Sequence, residues 1–412
     1  MRSRTTVAID PTGADVYGEA ERIRASGPVA RVELPGGVRA WSVTGYEAAR
    51  RVLADPRFSK DPRKHWTAFA EGTLDPAFPL IGWALMENLT TSHGEDHTRL
   101  RRLVTGAFTT GRMRGLRPGV EAATARLLDR LEEWGPDRAV DLKSRFAEPL
   151  ALHVICDLLG VPQTMREDLF GGGKANTDST LSSEETAASI ERVHAIADDL
   201  IAAKREEPGD DLVSDLVRAR DGDGSQLDDS ELKGTVLLLV STGTEPVKNL
   251  LANTLRELLL HPGHHAAVLN GGLALADVVE ETLRSQAPVA HLPFRFATED
   301  VEVAGVTVPR GEPVLIHYAA AGRDPSLHGP DADRFDPDRE DKRHLAFGHG
   351  VYRCVGTPLA RMEADVALSA LLPRFPEMRL AVAPGDLRAQ NTFIMNAPDA
   401  LPVLLGGAAP RA

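Results

Sequence analysis

The chain has 412 residues, 42% of them hydrophobic and 26% charged, a globular balance far from that of a disordered chain. A formal net charge of −13 opposes binding to nucleic acid and to anionic lipid, so neither is expected as a main partner. Two cysteines, Cys156 and Cys354, can form one disulfide at most, which excludes a disulfide framework.

The opening run MRSRTTVAIDPTG is polar, so neither a secretory leader nor a membrane anchor is expected. The longest apolar stretch, residues 236–240, falls far short of the ~20 residues that a spanning helix needs. A soluble, reducing, cytoplasmic setting is predicted, with no membrane insertion and Cys354 free to act as a ligand.

In chain order, VARVEL and RAWSVT flank Pro-Gly-Gly and predict a hairpin. GYEAARRVLADP predicts a short helix. Residues 60–92 hold scattered Trp, Pro and Phe and read as a long binding loop. Residues 93–135 carry helical periodicity. PLALHVICDLLGVP predicts a buried helix that stops at Gly-Val-Pro. Residues 171–186 begin Gly171-Gly172-Gly173 and predict a loop; GGGKA lacks the spacing of a phosphate loop and the Ser/Thr after its lysine.

The polar linker DGDGSQLDD follows, then a long helix starting near Asp228, with Glu231 three residues on as a capping-box partner. It runs to about residue 257 through an all-apolar stretch, as a central buried helix does. DVVEETLRS predicts another helix. VEVAGVTVPRGEPVLIHYAA alternates around a Pro-Arg-Gly turn and predicts strands. A Pro/Asp-rich stretch then leads into HLAFGHGVYRCVGTPLARMEADVALSALL. Helices dominate, with a smaller strand content.

The strongest chemical signal is FGHGVYRCVG, residues 347–356. Gly348 and Gly350 permit close backbone approaches, and Gly356 leaves space beside the sulfur. Pro358 suits the first turn of a following helix. Cys354 thus sits near a helix N-terminus, where N–H groups and the helix dipole stabilise a thiolate. Cys156 lies in an apolar helix without such a loop and reads as core.

The pattern Phe-Gly-x-Gly-x-(His/Arg)-x-Cys-x-Gly resembles the haem-binding signature of the cytochrome P450 family. The chain matches each fixed position but one: Tyr352 stands where the family has His or Arg on a haem propionate, and offers a hydrogen bond without charge. The resemblance implies a cytochrome P450 fold, mainly α with a smaller β-rich lobe (about 28–45, 286–320 and 380–406), in one domain over 1–412. It implies haem b with Cys354 as its metal ligand, and Phe347, Gly348 and Gly356 around the cofactor.

Further motifs fall in the family's order. Glu281-Thr-Leu-Arg284 resembles its Glu-x-x-Arg helix; residues three apart share a helix face and can pair. Arg334 resembles the third member of that structural cluster. His97 and Arg101 resemble its His-x-x-x-Arg helix, and Arg295 its further propionate-binding arginine. Several donors for two carboxylates fit the need of buried charges for partners. His261, His264 and His265 read as a helix–turn–helix junction rather than a metal site.

The central helix departs from the family. Where the family reads Ala/Gly-Gly-x-Asp/Glu-Thr, this chain has Thr242-Gly243-Thr244-Glu245-Pro246. The threonine that supports proton delivery is replaced by Pro246, which also lacks an N–H, so a kink and an unpaired Thr242 carbonyl are predicted. Glu245, Pro246, Thr242 and Thr244 are the catalytic candidates. One reading leaves the proton work to Ser241, Thr242, Thr244 or a water; another is altered chemistry, such as coupling, desaturation or peroxide-driven turnover.

The resemblance implies a monooxygenase acting on a small, hydrophobic, secondary-metabolite-like substrate, with O2 and electrons from a separate ferredoxin and ferredoxin reductase. Its recognition segments correspond to Trp83, Leu85, Met86, Leu89, Val240, Ser241, Val289, Ala290, His291, Leu292, Phe393 and Ile394, a mostly apolar lining. Arg99, Arg102, Arg353 and Arg361 are candidates for docking an acidic ferredoxin. A non-catalytic haem sensor or scaffold is the reading from a different class, motivated by Pro246 and Tyr352.

Overall fold

Asp228 starts the longest helix through a closed capping box. Its carboxylate accepts the Glu231 N–H at 2.8 Å, and the Glu231 carboxylate accepts the Asp228 N–H at 3.1 Å. The helix Asp229–Leu260 runs 32 residues, about 48 Å at 1.5 Å per residue. In the computed structural model, which describes residues 6–75, 78, 80–166, 169, 183–220, 222 and 224–407, this helix is the spine of the largest core. Leu250, Leu251, Leu255 and Leu258 pack against Val154 and Leu158, Val279 and Leu283, and Leu368 and Leu371. Those residues belong to the helices Glu148–Leu159, Leu275–Ser285 and Thr357–Arg374.

Helix Glu148–Leu159 is the predicted buried helix. It stops at Gly160, whose φ of 68° is left-handed, and a Cβ there would lie 2.3 Å from Asp211 Cγ. Cys156 is fully buried in it, and burial pushes its thiol up to about 12. Residues 93–135 form two helices rather than one, Gly94–Ala107 and Thr110–Glu132. Thr109 breaks the run by capping the second, its side chain accepting the Arg112 N–H. The loop over 60–92 contains the short helices Pro62–His65, Thr67–Ala70 and Ile81–Leu85. The Gly171–Gly173 run lies outside the described residues.

A six-stranded sheet holds, in spatial order, Val7–Ala8, Val29–Leu34, Val38–Val43, Pro313–His317, His291–Ala297 and Phe58–Ser59. The predicted hairpin turns on Gly36 and Gly37, with φ of 81° and 73°, and pairs Leu34 with Val38. Strand His291–Ala297 shifts register between Leu292 and Arg295, where Phe294 takes a φ of 68°. That bulge re-aims Arg295. Near the C-terminus, Arg379–Leu380 and Pro402–Leu404 form a small sheet with Val140–Asp141.

Glu281 and Arg284 form a fully buried pair. All five guanidinium N–H donors are used. Two reach the Glu281 oxygens (2.7 and 2.6 Å), and three reach the carbonyls of Gly322, Ala332 and Arg334 (2.8, 2.7 and 2.9 Å). Arg334 therefore joins this cluster by its carbonyl, while its side chain is exposed. The second guanidinium beside Glu281 is that of Arg339, at 3.9 Å. Two successive turns, closed by Arg334 N–H on Asp331 O and Arg339 N–H on Asp336 O, bring Arg339 inward in its place.

Candidate active site and cofactor cradle

The cysteine loop folds onto itself. The Gly348 N–H donates to Leu345 O at 2.7 Å, and the Cys354 N–H to Phe347 O at 2.9 Å. Gly350 has a φ of 71°, and a Cβ there would lie 2.7 Å from Leu53 O, so the loop lies against the helix Tyr46–Ala54. Gly356 is less constrained: its Cβ would meet the Cys354 sulfur at an ordinary 3.7 Å. Helix Thr357–Arg374 starts next, with proline in its first turn. Burial pushes the Cys354 thiol up, while hydrogen bonds from Gly356 and Thr357 and the charge of Arg101 pull it down. Although largely enclosed by protein, Cys354 is accessible. Metal coordination deprotonates a thiol outright.

A second group of residues gathers on the Tyr352 ring. The His97 ring centroid lies 4.0 Å away, the Arg295 guanidinium 4.9 Å and the Lys60 ammonium 5.5 Å. All three residues are buried, and among the described residues neither Lys60 nor Arg295 has a carboxylate within ion-pair reach. His97 Nε2 has no hydrogen-bond partner. Burial, with Arg101, Lys60, His93 and Arg295 around it, pushes His97 down to about 4. Burial and Arg295 bring Lys60 down to about 7. Unpaired buried cations cost several kcal/mol each, so this recess calls for an anion. Tyr352 does not offer its proton there: the hydroxyl donates to Ser92 O at 2.7 Å, and burial pushes it up to about 12. Arg101 donates to Arg353 O at 2.6 Å.

The central helix lies against the cysteine loop, where Val247 clusters with Ala151, Ala360 and Phe347. It runs without a break through Pro246, so the predicted kink does not interrupt it. Ser241, Thr242 and Thr244 each donate their hydroxyl proton to a carbonyl one turn back, Thr242 to Leu238 O at 2.7 Å and Thr244 to Val240 O at 2.9 Å. Glu245 is held by Lys248 at 2.5 Å and by Gln390 at 3.3 Å. Lys143 bonds Gln390 in turn, and burial brings its ammonium down to about 8. Gly243 packs on a neighbour, since a Cβ there would lie 2.6 Å from Ile155 Cδ1.

The family model described as cytochrome P450 matches residues 274–397. The 2-hydroxy-5-methyl-1-naphthoate 7-hydroxylase of Streptomyces carzinostaticus is 45% identical over 97% of this chain and 98% of its own. Cytochrome P450 monooxygenase PikC of Streptomyces venezuelae is 40% identical over 95% and 91%. The structure of CYP154C4 from Streptomyces sp. W2061 superimposes with a TM-score of 0.94, at 40% identity and 99% coverage of both chains. This chain belongs to the cytochrome P450 family.

As a cytochrome P450 it is a haem-thiolate monooxygenase, and the residues present fit the cofactor. Cys354 offers an accessible sulfur on a helix N-terminus. The unpaired cations by Tyr352 suit the two carboxylates of haem b. No helix among the described residues is long and apolar enough to cross a membrane.

The pocket candidates are placed unevenly. Val289 bridges Met395, and the Ala290 N–H donates to Ile394 O at 2.8 Å, so residues 289–292 and 393–395 meet. Val240, Leu89, Ala290 and Phe393 are buried, Met86, Ser241, Val289, Leu292 and Ile394 half-buried, and Leu85 is 61% exposed. The Trp83 side chain lies outside the described residues. His291 turns instead into a buried cluster with Glu19 and His317. The Ala320 N–H donates to His317 Nδ1, which places the His317 proton on Nε2 and leaves that nitrogen no lone pair for an ion. Glu19 Oε1 lies 3.5 Å from His291 Nε2, and Glu19 Oε2 accepts the Asp10 N–H at 2.7 Å. Among the described residues, both ring nitrogens of His291 and Nε2 of His317 are left without a hydrogen-bond partner, so Glu19 meets His291 only at ion-pair distance. His261 ends the central helix and Pro262 starts the next one, Pro262–Leu269. Among the described residues these histidines form no metal-binding group.

Sequence reading missed Lys60, Arg339, Lys248 and Lys143. Lys248 has a local signal, standing three residues after Glu245 on one helix face; Lys60, Arg339 and Lys143 are defined by what the fold brings beside them.

Proposed function

We propose that this cytochrome P450 hydroxylates a small, hydrophobic, secondary-metabolite-like molecule, with O2 and electrons from a ferredoxin and its reductase. Substrate C–H, O2, two electrons and two protons give the alcohol and water. The observation that carries the reading is the accessible Cys354 sulfur on the same loop as Tyr352, with its unpaired cations. Thiolate-ligated haem supplies O–O cleavage and oxygen transfer. Around it, the chain's own residues orient the cofactor, exclude water with the core of Val247, Ala151 and Phe347, and hold a proton-exchanging carboxylate at Glu245. Several relatives are named hydroxylases, among them the naphthoate enzyme and 6-deoxyerythronolide B hydroxylase, 38% identical.

Of the four docking arginines, Arg99 is paired with Glu231 and Arg361 with Glu280, and Arg102 has a partner of its own. Arg353 is exposed beside Val351, itself 66% exposed. An acidic ferredoxin is proposed to dock around this pair.

The test is turnover of the haem-loaded protein with a surrogate ferredoxin and reductase over a compound panel headed by 2-hydroxy-5-methyl-1-naphthoate. The expected result is a substrate-induced spectral shift and a product carrying one atom from labelled O2. Silence on both readouts across the panel overturns the proposal.

The three committed hydroxyls near Pro246 support a second reading, in which the reaction departs from plain hydroxylation. A structural neighbour at TM-score 0.89 and 30% identity is named for C–S bond formation. Pro246→Thr restores an alcohol, and the ratio of productive to uncoupled NADH oxidation is expected to rise by about tenfold if proton delivery limits coupling, equivalent to about 1.4 kcal/mol of barrier. Unchanged coupling removes that account of Pro246.

A further inference from the structure

We propose that Lys60 is a cofactor-binding residue whose ammonium gives a haem propionate the positive charge that position 352 lacks. The inference rests on the haem-thiolate assignment and deepens it.

Backbone geometry brings Lys60 to the site. Strand Phe58–Ser59 pairs antiparallel with His291–Ala297, Phe58 opposite Ala297 and Ser59 opposite Phe296. Continuing that register by one residue sets Lys60 opposite Arg295. Both side chains then reach the face of the Tyr352 ring, 5.5 and 4.9 Å from its centroid. The adjacent acid is committed elsewhere: the Asp61 carboxylate accepts the N–H groups of Arg63 and Lys64 at 3.0 and 3.3 Å, capping the helix Pro62–His65. The Ser59 hydroxyl accepts the Asp61 N–H at 3.0 Å and pins the turn. Lys60 is 9% exposed and has no ion pair among the described residues.

Two cations held side by side in a buried recess repel each other and lose hydration, and neither effect stabilises the fold. A dianionic cofactor reverses both. Tyr352 spends its proton on Ser92 O and presents its ring, which attracts cations through its face. Tyrosine at 352 thus removes one charge from the loop and holds another in its place.

The experiment uses the full chain, haem-loaded and apo, with Lys60→Met, Tyr352→His and the double variant. Three readouts are taken: haem transfer to apomyoglobin, the iron midpoint potential, and the melting temperature of each form. Haem loss from Lys60→Met is expected to be at least about tenfold faster, matching one lost charge-assisted hydrogen bond. Measured below about pH 7, where Lys60 is charged in the apo protein, the apo form of the same variant is expected to melt higher than wild-type apo, since an unpaired cation is gone. Tyr352→His is expected to restore retention in the Lys60→Met background. Unchanged haem loss overturns the role, and so does an equal fall in both melting temperatures, which marks packing. A wild-type chain whose reduced carbon monoxide spectrum lacks the thiolate signature overturns the assignment beneath it, independently of any variant.

Discussion

Cys354→Ser is expected to fold, to lose the red-shifted reduced carbon monoxide band, and to fall to background in oxygenation. The loop does not depend on the side chain. Its closing bonds are main-chain, Cys354 N–H to Phe347 O and Gly348 N–H to Leu345 O, and Gly350 seats it on Leu53. The stability change is therefore expected to stay within about 1 kcal/mol. What disappears is the soft, electron-rich sulfur donor, since a serine hydroxyl is a harder oxygen donor that stays protonated in water at neutral pH. Cys156→Ser is the control with the opposite profile. Cys156 is fully buried in the core, so a hydroxyl there is expected to cost about 1–3 kcal/mol and to leave the spectrum intact. A red-shifted band surviving in Cys354→Ser would remove Cys354 as the iron ligand.

Glu281→Gln is expected to be the most destabilising single conservative change, at about 3–5 kcal/mol in denaturant unfolding. Arg284 is fully buried, and a buried guanidinium left without its carboxylate is costly. With Glu281 neutral, three carbonyls remain to it and no anion. The same carboxylate oxygen also accepts the Asp336 N–H at 2.8 Å and faces Arg339, so the loop approaching the cysteine region loosens with it. Arg334→Ala is expected to change stability by less than about 0.5 kcal/mol, because its exposed side chain is not what the cluster uses. A large loss in Arg334→Ala with a small one in Glu281→Gln would reverse this assignment.

What was legible in the sequence is what short contiguous stretches encode. The cysteine loop, the Glu-x-x-Arg pair and the capping box at Asp228 each need a few adjacent residues, and they carried the family and fold that the relatives show. The rest depends on tertiary geometry. The end of a Pro/Asp-rich run offers Arg334 and Arg339, and only its turns decide that Arg339 and not Arg334 faces Glu281. Tyr352 reads as a propionate donor until Ser92 arrives with a carbonyl. His291 reads as pocket lining until strand pairing sets it by His317 and Glu19. The hydroxyls of Thr242 and Thr244 read as available until the helix supplies acceptors one turn back.

The recess on Tyr352 also sets when the protein can be finished. Its members come from a strand edge at residue 60, a helix at 97, a bulged strand at 295 and a loop at 352; the Tyr352 hydroxyl alone reaches back 260 residues to Ser92. Strand Val38–Val43 likewise waits for Pro313–His317, and Tyr17 for Asn396. Such long-range pairings are slow and cannot close while the distal half is still on the ribosome. The early hairpin and helices must persist with their final partners missing, and the recess that would receive the cofactor can assemble only once residue 352 has emerged.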